Sequence, residues 1–299
     1  MHSFWHFENR WLITATLRMK TALSVGARAS LMPAGSDLPV IKTPEGVPFI
    51  PGSSLKGAVR AHVERLLRTM DELKQTHQGE RLWACDPLDE KNRCIIAKCC
   101  EHCEDCKGSC CSDCGRCKNC MVQRATQNNQ LDDEKLVQQV WQHSCTACRI
   151  FGSPWLASRV SFRDAMLSNQ ESLLRLTEIR DGVGIDRDLG SAKSGIKYDF
   201  ETVPAGAAFG ITIVVENAEE WEVGLLLLAL EAMRKGELPV GGKTTRGPGW
   251  GELVELTIRK IGRENLLDYL TGAGQPPAVS HSELLQGLVQ ALKEGGSHA

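Results

Sequence analysis

Thirteen cysteines dominate the chemistry available to this 299-residue chain, and they are unevenly placed. Eleven lie between Cys85 and Cys120, and the last two are Cys145 and Cys148. An odd count at two-residue spacings, behind an N-terminal stretch with neither a basic n-region nor an apolar run, suits metal thiolates better than a disulfide framework. His143-x-Cys145-x-x-Cys148 supplies three ligands in one short knuckle. A tetrahedral ion then needs a fourth ligand from elsewhere; Cys85 is the expected one, with Cys94 as its competitor. Such a closed site is structural, because catalytic zinc keeps a position open for water. In the denser lobe, Cys100, Cys103, Cys106, Cys110, Cys111, Cys114, Cys117 and Cys120 provide thiolates for two further ions, leaving Cys99 over. Cys100-x2-Cys103-x2-Cys106-x3-Cys110 also has the spacing of a four-iron cluster, but no proline follows it. Zinc is therefore the expected metal and an iron–sulfur cluster the alternative.

A second group of reactive residues lies at 35–60. Asp37 sits in a loop stiffened by Pro44, Pro48 and Pro51, and Gly52-Ser53-Ser54-Leu55-Lys56-Gly57 opens into a helix. Backbone N–H groups, two hydroxyls and Lys56, with Arg60 one turn on, make an anion cradle at that helix N-terminus. The plainer reading has Ser53 as an N-cap and Asp37 as a turn former. Val240-Gly241-Gly242-Lys243-Thr244-Thr245-Arg246-Gly247-Pro248-Gly249 is a second glycine-rich loop with two cations, otherwise a tight turn. Contacts of this type hold phosphates without reading bases.

These residues need elements to position them. Residues 10–28 alternate as a half-buried strand, followed by a long loop. Leu55, Val59, Val63, Leu66, Leu67 and Met70 recur at helical spacing from Ser53 to about Lys74. Residues 80–148 form a cysteine-rich insertion too poor in apolar side chains to bury a core of its own. Strands follow at 158–165 and 209–216, a helix from Glu219 to Met233, and a strand at 253–258. The glycine-rich, charged stretch 178–204 reads as a projecting hairpin. This order suits an α+β sandwich of the ferredoxin-like kind. Apolar content of 42% is that of a globular protein, and a net charge of −2 leaves room for a local basic stripe. No apolar run approaches the roughly 20 residues a bilayer demands, so a cytoplasmic protein without membrane contact is expected.

Asp37-Leu38-Pro39-Val40-Ile41-Lys42, then Pro48-Phe49-Ile50-Pro51-Gly52-Ser53-Ser54-Leu55-Lys56-Gly57 and Arg60, resembles the signature of the RAMP superfamily, and more narrowly of the backbone subunit of type III CRISPR effector complexes. The resemblance spans residues 10–74 and 145–256. It implies a ferredoxin-like, RRM-like RAMP core at 1–79 and 149–263, with a thumb hairpin at about 180–204; the nine-cysteine lobe of the zinc-binding insertion at 80–148 and the C-terminal tail at 264–299 depart from the family and take no role from it. It also implies that crRNA is held by Ser53, Ser54, Lys56, Arg60, Lys243, Thr244, Thr245 and Arg246. Asp186-Arg187-x-x-Gly190-x-Ala192 resembles the thumb, which adds Arg187 to the RNA contacts. Asp37 stands where the family has the residue on which target-RNA cleavage depends, binding a divalent ion such as magnesium or orienting a 2′-hydroxyl. The implied partners are crRNA, target RNA, copies or paralogues of the chain and other effector subunits. Competing readings are a non-cleaving scaffold of the same complex, an iron–sulfur electron carrier and, ranked below both, a guide-processing nuclease of the same superfamily, which depends on a histidine for which His62 and His77 are poorly placed.

Overall fold

The computed structural model describes residues 6–27, 36–89, 92–96, 116–127 and 130–295. Cys99, Cys100, Cys103, Cys106, Cys110, Cys111 and Cys114 lie outside the described residues.

Strand β1 (Asn9–Met19) buries Trp11, Ile13, Leu17 and Met19 on one face, as period-two alternation dictates. The remainder of the expected strand leaves the sheet: Leu23 bridges Val203 and Gly26 bridges Val40, while Ala22, Leu23 and Val25 still enter the core. β2 (Phe49–Ile50) leads into α1 (Gly52–Glu72), which buries Leu55, Val59, Val63 and Leu67. The chain then runs through the hairpin β3 (Thr76–His77) and β4 (Glu80–Arg81) into the insertion, with α2 (Lys118–Ala125), the hairpin β5 (Thr126–Gln127) and β6 (Gln130–Leu131) and α3 (Asp133–His143), and leaves it through α4 (Thr146–Phe151). The strand expected at 158–165 is broken into β7 (Val160–Phe162) and β8 (Ala165–Leu167). The break has a use: the Asp164 carboxylate turns to accept the Gly52 backbone N–H at 2.7 Å.

The thumb-like hairpin is β9 (Glu178–Ile185) and β10 (Ala192–Thr202), a sheet of its own. β11 (Ala208–Glu216), α5 (Glu220–Arg234) and β12 (Gly251–Gly262) complete the core, and α6 (Leu266–Thr271) and α7 (His281–Gly295) form the tail. A capping box between Glu219 and Glu222 starts α5.

The main sheet is antiparallel, in the order β12-β1-β11-β8-β2, with β7 also on β11. Counting β7 and β8 as one interrupted strand, the major elements run β-α-β-β-α-β, as expected of the ferredoxin-like class. The described parts of 80–148 depart from the expectation that the insertion lacks apolar burial. Leu82, Ile95, Met121 and Val140 join the main core. The cysteine density of the lobe hid the two apolar arms that flank it. The tail is likewise docked, through Leu284 and Leu288 packed against α5, where Gly224 leaves no room for a Cβ beside Leu288. Among the described residues no helix is long and apolar enough to cross a membrane.

Candidate metal centre and nucleic-acid interface

Cys85, Cys94, Cys145 and Cys148 are all buried, and their sulfurs lie within 4.8 Å of one another. The knuckle forms because Cys145 is the N-cap of α4: its sulfur accepts the Cys148 backbone N–H at 3.4 Å, which turns both side chains to one side. Cys85 arrives from the segment after β4, with its sulfur 3.7 Å from that of Cys148. Cys94 completes the set. The crowded thiols polarise one another: hydrogen bonds from Cys145 and Cys148 lower Cys85, and Cys94 falls to about 7 for the same reason. Cys148 is pushed up by Cys145, Cys85 and Cys94. Four sulfurs this close can all ionise only around a cation.

The expected ligand His143 is not among the four. It ends α3 with its Nδ1 2.9 Å from the Gln139 carbonyl oxygen, one turn back on its own helix. Cys94, the competitor of Cys85, instead joins it, and the expected set of one histidine and three cysteines becomes a set of four cysteines. Of the expected ligands in the dense lobe, Cys117 and Cys120 are described. Both are buried, and Cys117 stands at the N-cap position of α2, there without the side-chain cap hydrogen bond that Cys145 makes at α4. Ile96 bridges Cys117.

Lys56 and Arg60 face this side of α1. The Lys56 ammonium donates to Ser158 Oγ at 2.8 Å and to the Val160 carbonyl at 3.3 Å, and burial lowers its pKa. Arg60 donates to Glu64 at 2.7 Å, to the Gly152 carbonyl at 3.0 Å and to Cys148 Sγ at 3.7 Å. Neither lines the groove formed by the other expected RNA contacts.

Ser53 and Ser54 are brought to them. With Gly57, Ala58, Val25, Gly26, Pro239, Gly241, Gly242 and Thr244 they line an open groove of about 460 Å³. Pro51, rather than Ser53, is the N-cap of α1, and it caps with no side-chain hydrogen bond. The glycines of the opposite wall are fixed by close approach: a Cβ on Gly241 (φ +86°) would stand 2.6 Å from the Ser24 carbonyl oxygen, and one on Gly249 2.4 Å from that of Val240. The intervening Thr244–Arg246 turn begins at Lys243, itself left-handed at φ 58°.

The same loop reaches the thumb. Arg246 donates to the Tyr198 hydroxyl at 2.7 Å, and the Lys243 ammonium lies 4.4 Å from the centre of the Phe200 ring. Asp37 is fastened to the same strand, β10. Its carboxylate accepts the Asp199 backbone N–H at 3.1 Å, and the Asp199 carboxylate accepts the Asp37 N–H at 2.7 Å. Leu38 bridges Phe200, and Glu201 anchors the loop by accepting from Val40 N–H at 3.0 Å and Lys42 Nζ at 2.5 Å. Burial alone would raise the Glu201 pKa, but the hydrogen bonds from Lys42, Thr177 and Val40 outweigh it and hold the carboxyl below its ordinary value. Thr245 is exposed beside Arg246, and Arg187 is exposed on the turn between β9 and β10. Sequence reasoning missed Tyr198, Asp199 and Glu201, whose partners lie far away along the chain. The alternation Tyr198-Asp199-Phe200-Glu201 was the one local signal of a strand there.

Comparison with known proteins gives two results. A family model described as "RAMPs: RAMP superfamily" matches residues 12–253. The chain is also 25% identical over 257 residues to the "CRISPR system Cms endoribonuclease Csm3" of Methanothermobacter thermautotrophicus, covering 85% of this chain and 87% of that protein.

Proposed function

The chain belongs to the RAMP superfamily, and from that premise we propose that it is a backbone subunit of a type III CRISPR effector complex, which binds crRNA and cleaves complementary target RNA. The observation that carries this reading is the groove in which the first turn of α1 and the late glycine loop face each other, Ser53 and Ser54 against Gly241, Gly242 and Thr244. Hydroxyls and small-residue backbone in such a groove suit sugar–phosphate of any sequence, as a guide-independent holder requires. Arg246, Lys243 and, on the thumb, Arg187 would extend the contact, and the exposed Ile185 and Leu189 would supply an apolar wedge. Copies or paralogues of the chain would continue the path along the RNA.

Asp37 would do the cutting. It is exposed, and the Asp37–Lys42 segment is held to β10 at one end by the Asp37 backbone N–H and at the other by the Lys42 side chain, so the carboxylate is presented at a fixed place. There it would hold or orient a divalent ion such as magnesium, or position the attacking 2′-hydroxyl. Asp37→Ala should abolish target cleavage in the assembled, guide-loaded complex while guide binding and assembly persist. One observation favours a non-cleaving scaffold: an oxygen of Asp37 is already engaged by the Asp199 N–H. Undiminished cleavage at the same positions by Asp37→Ala would establish that second reading of the residue.

For the metal centre we propose zinc. Ligation at about 2.3 Å in a tetrahedron separates sulfurs by roughly 3.8 Å, and the Cys85–Cys148 separation of 3.7 Å fits it. Zinc there would cross-link the two arms of the insertion beside α1 and take no part in chemistry. An iron–sulfur protein would instead be coloured when purified without air and would contain iron and sulfide.

A further inference from the structure

The sequence suggests Arg60 as an RNA contact, but its guanidinium is committed elsewhere. All three of its acceptors belong to the metal side: Glu64 on its own helix, the carbonyl of Gly152 just past the knuckle, and the sulfur of Cys148 itself. One turn of helix beyond Glu64, Arg68 donates to the Cys85 carbonyl at 2.9 Å and to the other oxygen of Glu64 at 3.4 Å. Glu64 is buried and sits between the two arginines. Thus α1 grips both arms of the centre, the Cys145–Cys148 knuckle through Arg60 and the Cys85 arm through Arg68. At the other end of the same helix stand Ser53 and Ser54, in the wall of the groove.

We infer that the four-cysteine centre, acting through Arg60 as a positioning residue, sets where the first turn of α1 stands, so that occupancy by a metal governs RNA binding in the groove. The inference rests on the reading of the groove as an RNA site. A metal with four thiolates carries net negative charge in a buried place, and a fixed guanidinium donating to one sulfur both compensates that charge and records its position. Apart from an ion, the Cys85 arm is joined to the Cys145–Cys148 knuckle by the Cys85–Cys148 sulfur contact and by two hydrogen bonds between Trp83 and Thr146; four metal–sulfur bonds would make that joint rigid, and with it the pieces that Arg60 and Arg68 hold. Ser53 is two helical turns, about 10 Å, from Arg60. A helix is stiff over that length, so a shift at Arg60 is carried to the groove. Lysine cannot replace the planar fork that serves three acceptors in different directions.

The test uses the full chain with cobalt(II) in place of the native ion, as wild type, Arg60→Gln and Arg60→Lys. Three readouts are taken: the thiolate-to-cobalt absorption band, amide exchange across residues 53–58, and the salt dependence of binding to a labelled single-stranded RNA of mixed sequence. Arg60→Gln should shift the band, weaken cobalt binding about 10-fold, speed exchange in the first turn, and weaken RNA binding with an unchanged salt slope. Arg60→Lys should lie between Gln and wild type. An unaltered band and unaltered exchange would overturn the inference. So would a salt slope reduced by about one in Arg60→Gln, which marks a lost phosphate contact. If wild type binds no RNA, the RNA reading fails, while the band and the exchange still decide the coupling. Should Arg60→Gln not fold, chelation of wild type decides the matter: exchange at 53–58 must rise when the metal leaves, and protection that survives chelation refutes the link.

Discussion

Cys94 shows how one residue redefines a site. The His143-x-Cys145-x-x-Cys148 spacing offered three ligands at once, yet the histidine points back along α3 and the fourth sulfur comes from the insertion. The distinction is measurable. Cys94→Ser should weaken metal binding by one to two orders of magnitude, since a buried thiolate ligand is lost, whereas His143→Ala should leave metal affinity within about 2-fold. Competition with a chromogenic chelator separates the two. Equal losses for both variants would return His143 to the ligand set. Asp37 belongs at the same scale: its type was readable in the sequence, but its reciprocal bonds with Asp199 span 162 positions and leave no local trace.

At the scale of elements, the site depends on how β10 holds two loops that are remote in sequence. Tyr198 and Phe200 meet the glycine loop, and Asp199 and Glu201 meet the Asp37–Lys42 segment. Glu201 gives this arrangement a pH dependence of known sign. Its folded pKa lies below its ordinary value of 4.5, so its contribution is fully present above 4.5 and is lost as pH falls through the lower folded value. Protection of the Val40 amide against exchange should therefore drop on acidification below 4.5, and Glu201→Gln should show weak protection with no such step. A step of equal size in the variant would assign the loop's anchoring to another group. Helix α1 is the other positioning element. The amphipathic spacing of Leu55, Val59 and Val63 predicts it, but the roles of its polar faces came from packing: Ser53 and Ser54 towards the groove, Lys56 and Arg60 towards β7 and the knuckle.

For the molecule as a whole, one core joins parts that the sequence separates. The main sheet, both arms of the insertion and the tail share buried contacts, from Trp11 and Phe209 through Met121 to Leu288. Leu288 is 1% exposed and lies against α5. Leu288→Ala should lower unfolding free energy by about 2–4 kcal/mol, read from the denaturant midpoint of the entire chain in a single transition. A separate early transition, with the main one unmoved, would mean that the tail folds independently.

By itself the sequence determined the β-α-β-β-α-β order, the family, the clustering of cysteines at metal-ligand spacing and the two glycine-bearing loops. Those features are local: periodicities, caps and short spacings that neighbouring residues carry among themselves. The approach of Cys94 to the other three sulfurs, the direction of Arg60, the pairing of Asp37 with Asp199 and the meeting of Ser53 with Gly241 were decided by the tertiary structure. Each joins positions about 50 to 190 apart along the chain, brought together by sheet register and core packing, and a one-residue change of register would turn those side chains away.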